Sequence, residues 1–161
     1  MYISTLCSPF GHLTLSASDS ALTGLWIEGQ KGFPTSLTGI LQPEHPIFLQ
    51  TAAWLDAYFS GAPLPVPPPL DPHGTPFQKA VWQQLLKIPY GETTTYGAIT
   101  NHLRTAGHSA SAQAVGGAVG RNPILLLIPC HRVIGANGSL TGFAAGVDLK
   151  QKLLLIESKA N

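Results

Sequence analysis

Arg121-Asn122-Pro123-Ile124-Leu125-Leu126-Leu127-Ile128-Pro129-Cys130-His131-Arg132-Val133 lies late in a chain of 161 residues, and the rest of the sequence is best read outward from it. Ile124 to Ile128 is the longest apolar run of the chain, and its continuity predicts a strand buried on both faces. Pro129 has no amide hydrogen to donate to a ladder, so the strand ends there and Cys130 stands where it emerges. A thiol so placed is a candidate nucleophile, but its unperturbed pKa of about 8.5 leaves little thiolate at neutral pH. Something must take the proton. His131 is adjacent, yet neighbouring side chains of a strand face opposite ways, so it would act through a turn or an intervening water.

Toward the C-terminus, a helix is predicted from about Val147 to Ser158, with Leu149, Leu153 and Glu157 at successive four-residue steps. Glu157 therefore falls on the apolar stripe, where a carboxylate needs a partner. A histidine suits it, because the carboxylate fixes the tautomer and stabilises the imidazolium that forms on proton uptake. Cys130, His131 and Glu157 could thus form nucleophile, base and orienting group. By spacing alone, a structural cysteine, a core histidine and a helix-end glutamate are each commoner than such a triad.

On the N-terminal side, Thr75-Pro76-Phe77 opens a helix with Phe77, Val81, Leu85 and Leu86 as its stripe, ending before Pro89-Tyr90-Gly91. Thr94 or Thr95 then caps a short helix carrying Tyr96, Ile99 and Leu103, and after a break at Arg104-Thr105-Ala106-Gly107 a second runs from about Ser111 to Val119. The pattern is helix, turn, helix. Ala112, Ala114, Gly116, Gly117, Ala118 and Gly120 leave the second helix nearly bare. Each glycine costs about 1 kcal/mol of helix stability relative to alanine, so something must approach closely. A neighbouring helix and a nucleic-acid backbone fit equally well.

Further upstream, Ala62 to Pro72 is proline-rich and predicts a stiff, extended connection, which places a domain boundary there. Before it, short β-type runs at Tyr2 to Cys7, Leu13 to Ser16 and Leu22 to Ile27 predict an antiparallel meander. A helix from about Pro46 to Ser60, with Phe48, Ala52, Leu55 and Phe59 inward and Gly61 closing it, would cover one sheet face. Residues 1–73 carry a net charge of −4 and residues 74–161 one of +5, an asymmetry that suits a nucleic-acid-binding second half. The 44% hydrophobic content and short apolar runs point to a soluble protein. No secretory signal is visible at Met1 to Thr5, and two distant cysteines, Cys7 and Cys130, suit a reducing compartment, so a cytoplasmic location is expected. Cys7 with His12 offers only two metal ligands and reads as a small buried cysteine, while His45, His102 and His108 read as surface or loop histidines.

Arg121-Asn122-Pro123, Ile128-Pro129-Cys130-His131-Arg132-Val133 and Gly142-Phe143-Ala144 together strongly resemble the O6-alkylguanine-DNA alkyltransferases, also called methylated-DNA–protein-cysteine methyltransferases. Ile88-Pro89-Tyr90-Gly91-Glu92, Tyr96-Gly97 and Ala114-Val115-Gly116-Gly117-Ala118 are similar as well, so the likeness covers essentially all of residues 75 to 158. The N-terminal part is similar only in outline, through Ser8-Pro9-Phe10-Gly11 and Ala57-Tyr58-Phe59. The resemblance implies an α/β (α+β) fold. A small antiparallel sheet with a covering helix, ribonuclease H-like, would occupy residues 1–73, and a mainly helical domain with a winged helix-turn-helix residues 74–161.

It further implies single-turnover repair of double-stranded DNA, in which Cys130 takes the alkyl group from O6-alkylguanine and, less well, from O4-alkylthymine. His131 would deprotonate the thiol through a water, Glu157 would orient the histidine, Asn122 would hold the turn before the catalytic strand, and Tyr96 would help protonate the departing guanine. Tyr96, Gln113, Ala114, Gly117, Ala118, Arg121 and Arg132 would contact DNA, with the helix in the minor groove and the damaged base flipped out. Pro129, Asn137, Phe143 and Ala144 would wall the alkyl pocket, backbone amides of its loops holding the guanine oxygen. Gln113 stands where the family usually has an arginine that fills the space left by the flipped base. No cofactor or metal is implied, since the damaged DNA is itself the donor, and a monomer is expected.

Three other readings compete, one of them a transcription factor built on the helix-turn-helix, for which no separate sensor or dimerisation segment is visible. A lesion-binding relative that does not repair would lack the acceptor, which Cys130 supplies. A cysteine hydrolase built on Cys130, His131 and Glu157 would have to release its adduct to water, and an alkyl thioether offers no carbonyl for water to attack.

Overall fold

Strand β1 (Tyr2–Ser8) turns into β2 (Gly11–Ala17) through Pro9 and Phe10 alone. Ser8 closes this turn, its hydroxyl donating to Gly11 O and accepting from Phe10 N, and Gly11 takes a φ of 129° that a side chain would resist. β3 (Leu22–Ile27) adds antiparallel to β2, which gives the expected meander. The computed structural model describes residues 1–140 and 142–159. It also has a two-residue strand, β4 (Ile40–Leu41), parallel to β1, so the sheet order is β3-β2-β1-β4. Two residues are too few to show alternation in sequence.

Helix α1 (Pro46–Ser60) packs on β2. Its buried stripe is Ile47, Phe48, Thr51, Trp54, Leu55 and Tyr58, while Ala52 and Phe59, expected inward, lie at its half-exposed margin. Trp54 stacks on Tyr58 at 5.3 Å within that stripe, which buries a large aromatic surface. His45, expected on the surface, is buried: its Nδ1 accepts from Ile47 N as the N-cap, and its ring lies 4.6 Å from that of Tyr2. Cys7, expected buried, is exposed on β1 with Sγ 3.5 Å from His12 Nδ1 on the paired strand. The proline-rich stretch is extended, and Leu70 bridges the outer edge of β3.

The chain divides into one unit of Met1–His73 with Pro123–Leu125 and a second of Gly74–Asn122 with everything from Leu126 onward. In the second, α2 (Pro76–Leu86) starts at a capping box between Thr75 and Gln78, buries Val81, Trp82 and Leu85, and leaves Leu86 exposed. α3 (Tyr96–Thr105) and α4 (Ala112–Gly120) are capped by Thr95 and Ser111. Arg104 Nε donates to Ala110 O at 2.7 Å across the break between them, where Gly107 adopts a φ of 95°. Short strands β5 (Thr94–Thr95) and β6 (Val133–Ile134) pair in parallel, and α5 (Val147–Ser158) closes the unit. No helix among the described residues is long and apolar enough to cross a membrane.

The run Ile124 to Ile128 is buried as expected but is not a strand. Ile124 makes a single bridge, to Leu25, and the chain then turns, with Leu126 at a φ of 72°. A positive φ costs a residue with a Cβ roughly 1–2 kcal/mol. Burial of the apolar side chains holds the turn in place of a ladder.

Candidate active site

Asn122 and Ile128 stand at the two ends of that turn and close it, Asn122 Nδ2 donating to Ile128 O at 2.7 Å. The same carbonyl accepts from Cys130 N, and Cys130–Arg132 form one turn of 3₁₀ helix that begins after Pro129, whose carbonyl accepts from Arg132 N. Cys130 therefore emerges from a tight turn rather than from a strand end, and the thiol and the His131 ring are both buried, each acted on by the Lys150 charge.

His131 is wholly buried, and its Nε2 hydrogen-bonds Glu157 Oε2 on α5. A carboxylate only accepts, so Nε2 bears the hydrogen and Nδ1 keeps its lone pair. Among the described residues that Nδ1 is buried and has no hydrogen-bond partner. Glu157, 1% exposed, also accepts from Arg132 Nε at 2.7 Å, Arg132 Nη2 at 3.3 Å and Gly91 N at 3.2 Å. Arg132 itself is buried, with Nη1 on Ile88 O at 2.8 Å and its guanidinium 5.6 Å from the Tyr90 ring centroid. The expectation that Arg132 reaches DNA is therefore corrected. All of its forked donors that hold Glu157 and Ile88 point into the protein, where the carboxylate offsets the cost of burying its charge.

Lys150, also on α5, is fully buried with Nζ donating to Val133 O. Its position three residues before Leu153 put it on the same stripe as Glu157, which was the available signal. Burial pushes the Cys130 thiol up to about 11, against the opposing pull of the Asn122 side chain, the Lys150 charge and nearby backbone amides. The resting thiol is thus protonated, and a base is required. Burial also pushes His131 below its ordinary value; Glu157 draws it back up by hydrogen bond and charge, while Arg132 and Lys150 oppose that. Burial lowers the Lys150 amine, and the Cys130 charge opposes the shift.

Tyr96, at the first position of α3, is half-buried, and burial followed by the charge of an ionised Cys130 raises its phenol. Its hydroxyl packs against Gly142: a Cβ there would lie 2.9 Å from it, and the φ of 94° independently demands glycine. Phe143 is buried and Ala144 half-buried in the same loop. Asn137 stays on the surface in a turn, its Oδ1 accepting from Ser139 N. On α4, Gln113, Ala114 and Gly117 are exposed, as is Arg121 at its end. Ala118, expected to face DNA, instead joins Val115 and Val119 on the buried stripe, its carbonyl accepting from Trp82 Nε1 at 2.9 Å. Packing against a neighbouring helix accounts for Ala118, which lets α2 approach, while Gly117, whose added Cβ would meet nothing within 4 Å, opens outward.

A buried thiol, a carboxylate-held imidazole and a helix-turn-helix thus share one unit, the combination of a DNA-binding protein with cysteine chemistry. Residues 76–159 match the family model of the 6-O-methylguanine DNA methyltransferase DNA binding domain, and residues 1–72 that of its ribonuclease-like domain. A methylated-DNA–protein-cysteine methyltransferase of Methanosarcina acetivorans is 41% identical over 158 residues, 98% of each chain. One of Mycobacterium tuberculosis is 43% identical over 95% of this chain and 90% of its own. The crystal structure of Mycobacterium tuberculosis OGT in complex with DNA superposes with a TM-score of 0.88 at 42% identity, covering 99% of this chain and 94% of that one. The chain belongs to the O6-methylguanine DNA methyltransferase family. Its activity is repair of methylated DNA with a protein cysteine as acceptor.

Proposed function

We propose that Cys130 is the acceptor, that His131 takes its proton through a bridging water, and that Glu157 holds the imidazole for that task. The observation that carries this is the pair of His131 nitrogens: Nε2 is engaged by Glu157, and buried Nδ1 is left with its lone pair and no partner among the described residues. A buried acceptor without a donor needs a purpose, and proton uptake from a neighbouring thiol is one. Sulfur attacks the alkyl carbon, a carbon–sulfur bond forms, and the carbon–O6 bond breaks with its electron pair leaving on guanine. Tyr96 supplies the proton that guanine gains, and the thiol proton taken by His131 balances it. The thioether formed has no route back, so each molecule acts once.

Gln113, Ala114, Gly117 and Arg121 form the face that meets double-stranded DNA containing O6-alkylguanine, the small residues entering the minor groove while the base is flipped. Pro129, Phe143 and Ala144 wall the alkyl pocket. O4-alkylthymine is a poorer donor, the protein acts as a monomer, and a cytoplasmic location suits its two unpaired cysteines. Peptide mass spectrometry after mixing with a duplex holding one O6-methylguanine tests this. The methyl group is expected on the Cys130 peptide alone; finding it on exposed Cys7, or on neither, would defeat the assignment.

A further inference from the structure

The buried cluster contains one carboxylate, Glu157, and two basic side chains, Arg132 and Lys150, and the proton relay described above uses neither of the two. Glu157 is the shared element: Arg132 takes Oε1 through Nε and Oε2 through Nη2, while His131 takes Oε2 as well. We propose that Arg132 is a positioning residue for alkyl transfer, acting through Glu157 to keep His131 unprotonated and its base nitrogen open at neutral pH. This rests on the reading of His131 as the base.

Geometry supports it first. A guanidinium engaged on both carboxylate oxygens fixes the carboxylate plane, and Nη1 on Ile88 O anchors the fork from the other side. Glu157 therefore presents Oε2 to His131 in one orientation. Electrostatics adds the second part: a carboxylate already paired with an arginine stabilises an imidazolium less than a solitary one would. The groups acting on the His131 ring are Glu157 and Lys150 from α5 and Arg132 from its own turn, through Glu157 also Tyr90 and the Gly91 amide, with Cys130 next to it in the same turn. Of these only Glu157 favours the protonated ring, while Arg132 and Lys150 both oppose it. Burial is the largest influence against a charged ring, and Arg132 adds to it against the pull of Glu157, so His131 is free to accept the proton the thiol must lose.

The sign of the consequence is fixed. Activity needs neutral His131, and is lost as falling pH protonates it. Removing Arg132 removes a charge that repels the proton and strengthens the pull of Glu157, so the loss must occur at higher pH. The test is the single-turnover rate of methyl transfer from a saturating O6-methylguanine duplex between about pH 5 and pH 9, for wild type, Arg132→Gln, Arg132→Lys and His131→Gln. Arg132→Gln is expected to move the acid limb upward by roughly one pH unit, and Arg132→Lys by less, because the charge is kept and the fork lost. Should Arg132→Gln fail to fold, Arg132→Lys still must shift upward measurably. Equal rate losses at every pH in either folded variant would mean a merely structural role and overturn the inference. An acid limb absent from His131→Gln but unmoved in the Arg132 variants would overturn this inference alone. A wild-type limb persisting unchanged in His131→Gln would overturn the base assignment, and the inference with it.

Discussion

The buried cluster of Cys130, His131, Arg132, Lys150 and Glu157 and the exposed face of α4 with Gln113, Ala114 and Gly117 belong to the same unit but are built on opposite principles. In the cluster, almost every polar atom is committed to another, so Glu157 alone serves a histidine, an arginine and a backbone amide. On the α4 face, Gly117 has open space around it and the side chains are short or solvated. The first arrangement makes chemistry depend on several residues at once. The second leaves a surface that can change residue by residue at little cost to folding.

Four substitutions can break or sharpen that contrast. The largest effect is expected from Glu157→Gln, which leaves the Arg132 charge buried without its counter-ion and removes the orienting group of His131. Stability should fall by about 3–5 kcal/mol, a drop in Tm of roughly 10 °C, and transfer should slow by about two orders of magnitude or more. Unchanged thermal unfolding would show that the network is not interlocked. Next, Lys150→Met separates the two properties within the cluster. A buried charge is exchanged for an apolar chain of similar length, so stability should change by no more than about 1 kcal/mol, whereas thiolate formation loses a favourable charge and transfer at neutral pH should fall about tenfold. A chemical-denaturation midpoint measured beside the transfer rate decides it; equal, large losses in both would make Lys150 structural.

On the other face, Gln113→Arg adds a charge directed at phosphate and a planar group able to stack, and duplex binding should tighten and flipping accelerate several-fold with no change in stability beyond about 0.5 kcal/mol. Titration of a fluorescent lesion duplex, with 2-aminopurine beside the lesion, reads both; a variant no tighter and no faster would remove Gln113 from the recognition surface. The smallest effect is Gly117→Ala. The added methyl meets nothing within 4 Å, so the helix should gain about 0.5–1 kcal/mol, while affinity for duplex drops if that surface lies against the backbone. A stabler protein with unaltered affinity would assign Gly117 to neither packing nor DNA.

The same contrast governs what could be read from sequence. Helix bounds on Pro46–Ser60 and Val147–Ser158, and Glu157 on a buried stripe, followed from local periodicity, because one element alone determined them. Arg132 was misassigned since its partners, Ile88 and Glu157, lie 44 and 25 residues away, and nothing local distinguishes an arginine bound for a carboxylate from one bound for a phosphate. Lys150 shares the stripe with Leu153 and Glu157, but a lysine there commonly snorkels to solvent and its burial needed the fold. The apolar run Ile124–Ile128 gave the correct burial and the wrong backbone, since five apolar residues are compatible with any conformation that hides them. His45 read as a surface or loop histidine because its capping acceptor is a ring nitrogen rather than a hydroxyl or carboxylate.

If binding and chemistry reside in separate parts of the unit, the substitution that abolishes one should spare the other. Cys130→Ala, at a position 4% exposed and tied by its backbone rather than by its thiol to Ile128, is the cleanest case. The measurement is made on one preparation: the dissociation constant for an O6-methylguanine duplex and the number of methyl groups transferred per molecule. Affinity within about twofold of wild type and no transfer are expected, against one methyl group per wild-type molecule. Transfer persisting in Cys130→Ala, or lesion binding lost along with it, would contradict the account.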